Sequence, residues 1–405
     1  MKFLIVNMLS FRNKGCEAFT KGIIDELSKL NRTAEFKIFT YDPFYDQLFL
    51  NNRENVSFLL EPFGFSPALH SKWWYFRLAA SLRVSDRIRN GIKAFSWADA
   101  VVSTDDVFSS TYGGLYKCLA SVQVSSSLNK PTILIGQSIG PFDKKREYKS
   151  FVKAAKNVKL ITARESITLD YVKGMHLKNT RLELTADPAF CLEPDLRNTD
   201  KIMNSNGIKE QNILIGIAPS QAMACFGNIS ALNHLEALKG LISFLLASYN
   251  CKILLIPHVE DRTIGNNDRV LCEQLFRELG FPEKVKVLNM NYSAEEIRSI
   301  VGRLDIMIAE RMHAAVASLA ENVPTLIISY SAKSKGIFSD IFGSSNVDRF
   351  LLPIRDLTEE TFKKKVSNLL DNRDAIREQL LRVIPQVKEK SKLNFTLLLE
   401  ELVNC

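Results

Sequence analysis

The residues of this sequence best suited to chemistry are Arg311 and His313, which stand two positions apart between a strand and a helix. Residues 306–309 are an apolar run of strand length, and the small side chains of 314–320 are typical of a helix that packs tightly on a sheet. A guanidinium can donate two parallel hydrogen bonds to a carboxylate or phosphate, and an imidazole can hold a proton near neutral pH. Together they indicate a site that binds an anion and protonates it.

Two lysines follow the next apolar run, 325–329, at Lys333 and Lys335. Ligands of open α/β sheets bind outside the carboxyl ends of the strands, next to helix N-termini. One crevice would therefore collect these lysines together with the arginine and the histidine. The alternative interpretation, in which the lysines are solvated loop ends, stays open.

The elements that would position these residues repeat along the chain as two α/β halves, because apolar runs of strand length alternate with helical patterns. The expected strands are 2–7, 36–40, 100–104, 132–136 and 159–162 in the first half, and 213–218, 252–256, 285–288, 306–309 and 325–329 in the second. This alternation predicts an α/β protein of GT-B-like architecture, with two Rossmann-like domains whose parallel sheets face a central cleft.

The domain boundaries follow from composition. The stretch 194–211 is polar with few apolar anchors, which is typical of a linker. It would separate an N-terminal domain, 1–193, from a C-terminal domain, 212–380. Residues 381–405 have a helical pattern and are expected to pack back across the domain junction. The 405 residues exceed the roughly 250–300 that a single core can serve, which agrees with two domains.

Composition also excludes several classes of protein. A net charge of +8 suits an acidic ligand or an anionic membrane surface, and the sequence contains no recognisable nucleic-acid-binding module. The seven cysteines form no C-x-x-C pair, so neither disulfides nor a zinc site is expected, and the absence of G-x-G-x-x-G argues against NAD. The opening MKFLIVNMLS is typical of a first strand rather than a signal peptide, so we expect a cytoplasmic protein.

The segment 71–95 combines aromatic and basic residues. Trp73 and Trp74 stand together, and six lysines and arginines are interleaved with apolar side chains. Such a helix can lie in a membrane interface. The alternative is a core-facing helix with a solvated basic face, and both interpretations stay open.

Short motifs in a fixed order make the sequence similar to the polysaccharide pyruvyl transferase family. They are 13–18 (NKGCEA), 136–141 (GQSIGP), 164–165 (RE), 187–190 (DPAF), 257–258 (PH), 311–315 (RMHAA), 322–324 (NVP) and 330–333 (YSAK). The R-x-H-A and Y-x-x-K pair is the most specific part. Two departures lie in the N-terminal half: Cys16 stands where the family has aspartate, and 103–108 (STDDVF) replaces a glycine cluster.

The resemblance implies that phosphoenolpyruvate donates a pyruvyl group to two hydroxyls of one sugar, forming a cyclic ketal in surface polysaccharide biosynthesis. No metal and no cofactor is implied, since phosphoenolpyruvate is a co-substrate. The acceptor is expected on the N-terminal domain and the donor on the C-terminal domain. If segment 71–95 contacts an anionic membrane, the protein would lie at its inner face and the acceptor sugar would be linked to undecaprenyl.

Roles for individual residues follow from this expectation. His313 would protonate the methylene carbon, and Arg311 would clamp the donor. Asp187, Glu165 and Asp105 are candidates for the base that activates the sugar hydroxyl, with Asp187 the first of them. The expected donor-binding residues are Arg311, Met312, His313, Lys333, Lys335, Arg164, Ser220 and His258. The expected acceptor-binding residues are Asn13, Glu17, Asp105, Gln137, Ser138 and Glu165.

Two other functions fit the same residues. A GT-B glycosyltransferase would use Arg311 and Lys333 to hold the diphosphate of a nucleotide sugar. A non-catalytic anion-binding protein of a glycan pathway would need the cations but not the proton donor. Release of phosphate, release of a nucleoside diphosphate, or no turnover would separate the three.

Overall fold

A computed structural model describes residues 1–50, 53–63, 86–104, 107–111, 114–208, 213–227, 229–262, 265–280, 283–329 and 332–403. The chain divides into two compact units. Unit 1 comprises Met1–Phe11, Phe19–Cys191 and Glu389–Cys405, and unit 2 comprises Arg12–Ala18 and Leu192–Lys388.

Unit 1 is built on a parallel sheet of seven strands in the order β3-β2-β1-β4-β5-β6-β7. The strands are β1 (Lys2–Val6), β2 (Glu35–Thr40), β3 (Val56–Leu60), β4 (Ala100–Ser103), β5 (Thr132–Gln137), β6 (Leu160–Ala163) and β7 (Arg181–Leu184). The helices between them are α1 (Lys14–Leu30), α2 (Pro43–Gln47), α3 (Asp86–Trp97), α4 (Leu115–Ser127), α5 (Lys145–Ala155) and α6 (Ser166–Lys173).

The centre of this sheet is apolar on both faces. Strands β4 and β5 are buried along their whole length, as expected for parallel strands covered by helices on both sides. One core cluster packs Phe39, Phe63 and Phe95 against the strands. The sequence order reverses between β1 and β4, which is the switch point of a Rossmann-like sheet.

Unit 2 contains a parallel sheet of six strands in the order β10-β9-β8-β11-β12-β13. The strands are β8 (Ile213–Ala218), β9 (Cys251–Leu255), β10 (Val285–Val287), β11 (Ile306–Ala309), β12 (Thr325–Ser329) and β13 (Leu351–Pro353). The helices are α7 (Thr199–Ser205), α8 (Ala222–Phe226), α9 (Ala231–Ser248), α10 (Asp268–Leu279), α11 (Ala294–Val301), α12 (Met312–Ala320), α13 (Ala332–Phe342), α14 (Glu359–Asp371) and α15 (Arg373–Val403).

The prediction of two Rossmann-like α/β units with parallel sheets is confirmed. The division of the chain differs from the expected boundaries at three places. Residues 12–18 group with unit 2, and the stretch expected to be a linker contains α7 and belongs to unit 2. The last helix begins at Arg373 rather than near 381, and its residues from Glu389 onward group with unit 1.

The end of α15 is fixed in unit 1 by a buried asparagine. The side-chain oxygen of Asn394 accepts hydrogen bonds from the hydroxyls of Thr162 and Thr185, and its amide nitrogen donates to the carbonyl of Ala186 at 2.8 Å. The two threonines lie at β6 and directly after β7. Buried polar groups need such partners. Because the attachment is made by hydrogen bonds of polar side chains, the pattern of apolar residues in the sequence does not reveal it.

Of the aromatic and basic segment 71–95, residues 71–85 lie outside the described part of the chain. The remainder falls in α3, where Gly91, Ala94 and Phe95 are buried against the sheet of unit 1. This part agrees with the core-facing interpretation, and contact with a membrane stays a prediction. Among the described residues, no helix is both long enough and apolar enough to span a bilayer.

Candidate active site

The candidate site lies in unit 2, where the carboxyl ends of three neighbouring strands meet. The chain continues from β8 towards β10 on one side and from β11 towards β13 on the other, so β8 and β11 form the switch point. Ligands bind at such points in open α/β sheets. Ser220 follows β8, His258 follows β9, and Arg311 and His313 follow β11.

Glu310, the first residue after β11, holds the ends of β8 and β11 together. Its carboxylate accepts the backbone N–H of Ser220 at 2.7 Å and lies 2.9 Å from Nε2 of His234 on α9. All three residues are buried. Burial lowers the pKa of His234, but the Glu310 carboxylate, with a contribution from Asp268, outweighs burial and raises that pKa above its usual value.

Arg311 is anchored by a carboxylate that the sequence analysis missed. Its Nε and Nη2 donate to the two carboxylate oxygens of Asp268 at 3.0 and 2.8 Å, and Nη2 also donates to Asn266 at 2.9 Å. Asp268 is the first residue of α10 and is fully buried, whereas the guanidinium is partly exposed. The side chain is therefore held in one orientation at the edge of the site.

His313 lies in the first turn of α12 and makes close contact with Gly15. A Cβ atom at position 15 would lie 2.2 Å from Nδ1 of His313, far inside van der Waals contact. Only glycine leaves room for the imidazole where it stands. Residue 15 thus limits the position of the proposed proton donor.

The loop 12–18 is bound to unit 2 through its backbone. Asn13 forms an antiparallel bridge with Val259, and the N–H of Lys14 donates to the carbonyl of His258 at 3.0 Å. The sequence placed Asn13 and Glu17 on the acceptor side of the N-terminal domain, yet the structure groups both with unit 2.

Glu17 has a structural role in this loop. It is fully buried, lies 2.9 Å from the ammonium of Lys14, and accepts the backbone N–H of Ala294 at 3.0 Å. A carboxylate used in this way fixes the loop against the start of α11. Binding of an acceptor by Glu17 remains a prediction, and one that would have to displace these partners.

His258 is a buried imidazole surrounded by positive groups. Neither ring nitrogen has a hydrogen-bond partner among the residues that the structure describes. Burial lowers its pKa well below the usual value, and the positive charges of His313, Arg311 and Lys14 lower it further. The ring is therefore neutral, and its two unsatisfied nitrogens fit a site that receives a polar ligand or water.

The two predicted lysines differ in environment. Lys333 lies in the first turn of α13 and is buried, whereas Lys335 is exposed. Met312 is half-buried at the start of α12. Tyr330 and Ser331, which belong to the predicted motif, lie outside the described residues, as does the predicted acceptor residue Asp105.

The remaining predicted residues belong to unit 1, where Arg164 and Asp187 form a sealed pair. Nη1 of Arg164 lies 2.7 Å from Asp187, and its Nε donates to the hydroxyl of Ser138 at 2.7 Å. Neither charged side chain has exposed surface. As the pair stands, the Asp187 carboxylate has no open path to a sugar hydroxyl, so its role as a base stays a prediction that requires the pair to open.

Gln137 and Glu165 are also buried in unit 1. Gln137 donates to the carbonyls of Ser103 and Ile135, and its side-chain oxygen has no partner within the described part of the chain. Glu165 caps α6 by accepting the N–H of Thr168 at 2.8 Å. Burial raises the pKa of Glu165, and its hydrogen bonds with Thr168 only partly offset this.

The comparison that decides the family covers all of these motifs except Lys333, the last residue of 330–333. The polysaccharide pyruvyl transferase family matches the sequence over residues 13–332, from the loop beside His258 to the start of α13. The chain belongs to this family. The resemblance inferred from the motifs is thereby confirmed, and the pyruvyl transferase family makes the chain a transferase of polysaccharide biosynthesis.

Similarity to known proteins extends along nearly the whole chain. It is 22% identical over 423 residues to the amylovoran biosynthesis protein AmsJ of Erwinia amylovora, covering 95% of this chain and 96% of that protein. Its structure is similar to UDP-GlcNAc 2-epimerase from Neisseria meningitidis, with a TM-score of 0.61 at 11% identity over 100% of both chains. A glycosyltransferase from Rickettsia africae gives a TM-score of 0.57 at 13% identity, covering 99% of this chain and 98% of that one. These likenesses show the GT-B fold.

Proposed function

We propose that the protein transfers a pyruvyl group from phosphoenolpyruvate to two hydroxyls of a sugar, forming a cyclic ketal and releasing phosphate. The observation that carries this proposal is the arrangement of Arg311 and His313 at the switch point of unit 2, in a chain of the pyruvyl transferase family. An oriented guanidinium and an imidazole are the two groups that an anionic enol ester needs, one for binding and one for protonation.

The donor carries a phosphate and a carboxylate, so its site needs positive charge that is held in place. Arg311 offers an oriented guanidinium, and the first N–H groups of α12 lack partners within their own helix and favour an anion. Lys333, on the next helix of the same sheet, is the further ammonium proposed for the departing phosphate. His258 and Ser220 complete the donor side.

The proposed chemistry begins with a proton from His313 to the methylene carbon of the donor, which leaves an electrophilic centre at C2. The first sugar hydroxyl attacks C2 and loses its proton, and the C–O bond to phosphate then breaks. The second hydroxyl attacks the same carbon and closes the ketal. One hydroxyl proton ends in the new methyl group and the other on the released phosphate. The reaction uses phosphoenolpyruvate as a co-substrate and no cofactor.

The proposed acceptor is a sugar of a surface polysaccharide, which agrees with the amylovoran biosynthesis protein among the relatives. We place its site on unit 1, with Gln137, Ser138 and Glu165, and place the protein in the cytoplasm. An undecaprenyl-linked sugar at the inner face of the membrane is the proposed form of the acceptor if segment 71–95 binds anionic lipid. Liposome flotation with anionic lipid tests this proposal. If the protein shows no salt-sensitive association with the liposomes, the proposed membrane contact is wrong.

The deciding experiment measures phosphate release from phosphoenolpyruvate in the presence of lipid-linked and nucleotide-linked galactose, mannose and their N-acetyl forms. We expect phosphate release that depends on one acceptor, and its loss in His313→Ala with phosphoenolpyruvate binding retained. Release of UDP or GDP from a nucleotide sugar would instead show a glycosyltransferase. If the wild type turns over neither phosphoenolpyruvate nor a nucleotide sugar, and His313→Ala binds its partners as the wild type does, the protein has a non-catalytic role.

A further inference from the structure

Asp268 is the buried partner of Arg311 at the switch point of unit 2. Both of its carboxylate oxygens accept from Arg311, at 3.0 Å from Nε and 2.8 Å from Nη2. This is the parallel two-bond geometry in which an arginine is most tightly oriented. Asn266, two residues earlier, accepts from the same Nη2 at 2.9 Å.

The same carboxylate also connects three strand ends. One oxygen accepts the backbone N–H of Gln221, after β8, at 3.1 Å, and the other accepts the N–H of Val259, after β9, at 2.9 Å. Arg311 itself follows β11. Since Val259 forms the bridge to Asn13, the loop beside His313 is attached to this point as well.

Electrostatics explains why the carboxylate is needed at this place. Asp268 begins α10, where the positive end of the helix dipole favours an anion and disfavours a guanidinium. The carboxylate therefore offsets the repulsion between this helix end and the guanidinium of Arg311. A free arginine side chain also loses roughly 2 kcal/mol of rotamer entropy when a ligand fixes it, and a side chain that is already fixed avoids that loss on binding.

We propose that Asp268 is a positioning residue that orients Arg311 for the anionic donor. The inference rests on the proposed function of the same site and adds a residue to it. Asp268 touches neither reactant and acts through the guanidinium. The opposite mechanism is that the carboxylate competes with the donor for Arg311, in which case its removal would strengthen binding.

The test compares Asp268→Asn with Glu321→Gln in the full chain. Glu321 forms the matched control because it pairs with Nε of Arg298 at 2.6 Å in the same unit, at the far end of α12 from Arg311. Titration calorimetry with phosphoenolpyruvate is expected to show an affinity about 10- to 100-fold lower in Asp268→Asn, since small misplacements of a clamp have effects of this size. Glu321→Gln should bind as the wild type does.

Steady-state kinetics gives a readout that a merely structural role would not move. The KM for phosphoenolpyruvate should rise in Asp268→Asn while the KM for the acceptor stays within about twofold. Equal or tighter binding of phosphoenolpyruvate, or equal loss of both substrates, would overturn the proposal. Asn266→Ala leaves the carboxylate in place and removes one acceptor of Arg311. It is expected to raise the KM and the dissociation constant for phosphoenolpyruvate by a smaller factor, and it tests the proposal if Asp268→Asn does not fold.

A measurement without substrate separates this inference from the proposed function. Phenylglyoxal modification of Arg311, followed by mass spectrometry, should be faster in Asp268→Asn than in the wild type and unchanged in Glu321→Gln. If the wild type fails to bind phosphoenolpyruvate but shows this difference, the proposed donor is wrong and the positioning role stands. An unchanged modification rate would mean that Asp268 does not hold the guanidinium, whatever the substrate.

Discussion

Each unit contains an arginine that follows a parallel strand and pairs with an aspartate from another segment of the chain. In unit 1, Arg164 and Asp187 lie 2.7 Å apart and both side chains are 0% exposed. In unit 2, Arg311 and Asp268 lie 2.8 Å apart, and the aspartate is 0% exposed whereas the arginine is 14% exposed. The residue types and distances match, but only the second guanidinium reaches solvent.

The position in the sheet explains this difference. Arg164 follows β6, which is two strands away from the switch between β1 and β4, and Ser391 of α15 donates to the backbone carbonyl of its partner Asp187 at 2.8 Å. Arg311 follows β11, which is itself a switch strand, where neighbouring chain segments diverge and leave an opening. The same two residue types therefore form a sealed pair in unit 1 and a partly exposed pair in unit 2.

Breaking the sealed pair should have the largest effect. Asp187→Asn removes the carboxylate that lies 2.7 Å from the buried guanidinium of Arg164, and removal of one partner from such a pair costs about 3–5 kcal/mol of the free energy of unfolding. Chemical denaturation measures the loss, and hydrogen exchange should locate it in unit 1. The control is Glu183→Gln, since Glu183 pairs with Arg181 at the surface and should change stability by less than about 0.5 kcal/mol. A stable Asp187→Asn protein that has lost turnover would instead return Asp187 to the role of base.

The partly exposed pair should respond in activity. Arg311→Lys keeps the positive charge opposite Asp268 but cannot donate two parallel hydrogen bonds, so kcat/KM for phosphoenolpyruvate should fall on the order of 10²–10³-fold. The thermal midpoint should change less than in Asp187→Asn. Unchanged phosphoenolpyruvate affinity by calorimetry would remove Arg311 from the donor site and make the two pairs alike.

The sequence was sufficient for the fold and for the position of Arg311 and His313 at the end of a buried strand. That position was predictable because a short buried strand, two polar side chains and a small-residue helix are adjacent in the chain. The partners of Arg311 and of its neighbour Glu310 were not predictable, because Asp268 stands 43 positions from Arg311 and His234 stands 76 positions from Glu310. Such pairs depend on which strands become neighbours, and the residues between them carry no local sign of it.

The loop 12–18 shows a second limit of the same kind. Its closeness to β1 in the chain favoured an acceptor role in the N-terminal domain, but its backbone hydrogen bonds are with Val259 and the carbonyl of His258. Backbone pairing is independent of side-chain type, so nothing in 13–18 (NKGCEA) indicates the partner. Gly15 indicates that another group approaches the loop closely, because glycine has no side chain in the way, but it does not identify that group.

Asp46 in unit 1 and His258 in unit 2 should contribute to stability with opposite dependence on pH. In unit 1, burial raises the pKa of Asp46 to about 6, so its contribution to stability is present below about pH 4 and is lost as the pH rises through 6. In unit 2, burial lowers the pKa of His258, so its contribution is present above the usual histidine pKa of about 6.5 and is lost as the pH falls.

Two variants separate these contributions. In the wild type, Asp46 should change the free energy of unfolding by up to about 3 kcal/mol between pH 4 and 7, and Asp46→Asn should abolish this change. The size of the change follows from the shift in the pKa of Asp46 of about two units. His258→Gln should make unit 2 less sensitive to acid. Hydrogen exchange at pH 5 and pH 8 measures the stability of each unit separately. If the two substitutions changed the pH dependence of their units in the same direction, the assignment would be contradicted.

The smallest predicted effect tests the contact between the loop and the imidazole. In Gly15→Ala the new Cβ would lie 2.2 Å from Nδ1 of His313, so the ring must move. Because His313 is the proposed proton donor, kcat should fall about 10- to 100-fold while phosphoenolpyruvate affinity, which rests on Arg311, changes little. Gly240→Ala is the control, since α9 has open space at that position and alanine there should stabilise the helix by about 0.5–1 kcal/mol without changing turnover. If Gly15→Ala keeps full kcat, turnover does not require the imidazole of His313 in its observed position. The functional difference between the two units would then depend on the exposure of Arg311 alone.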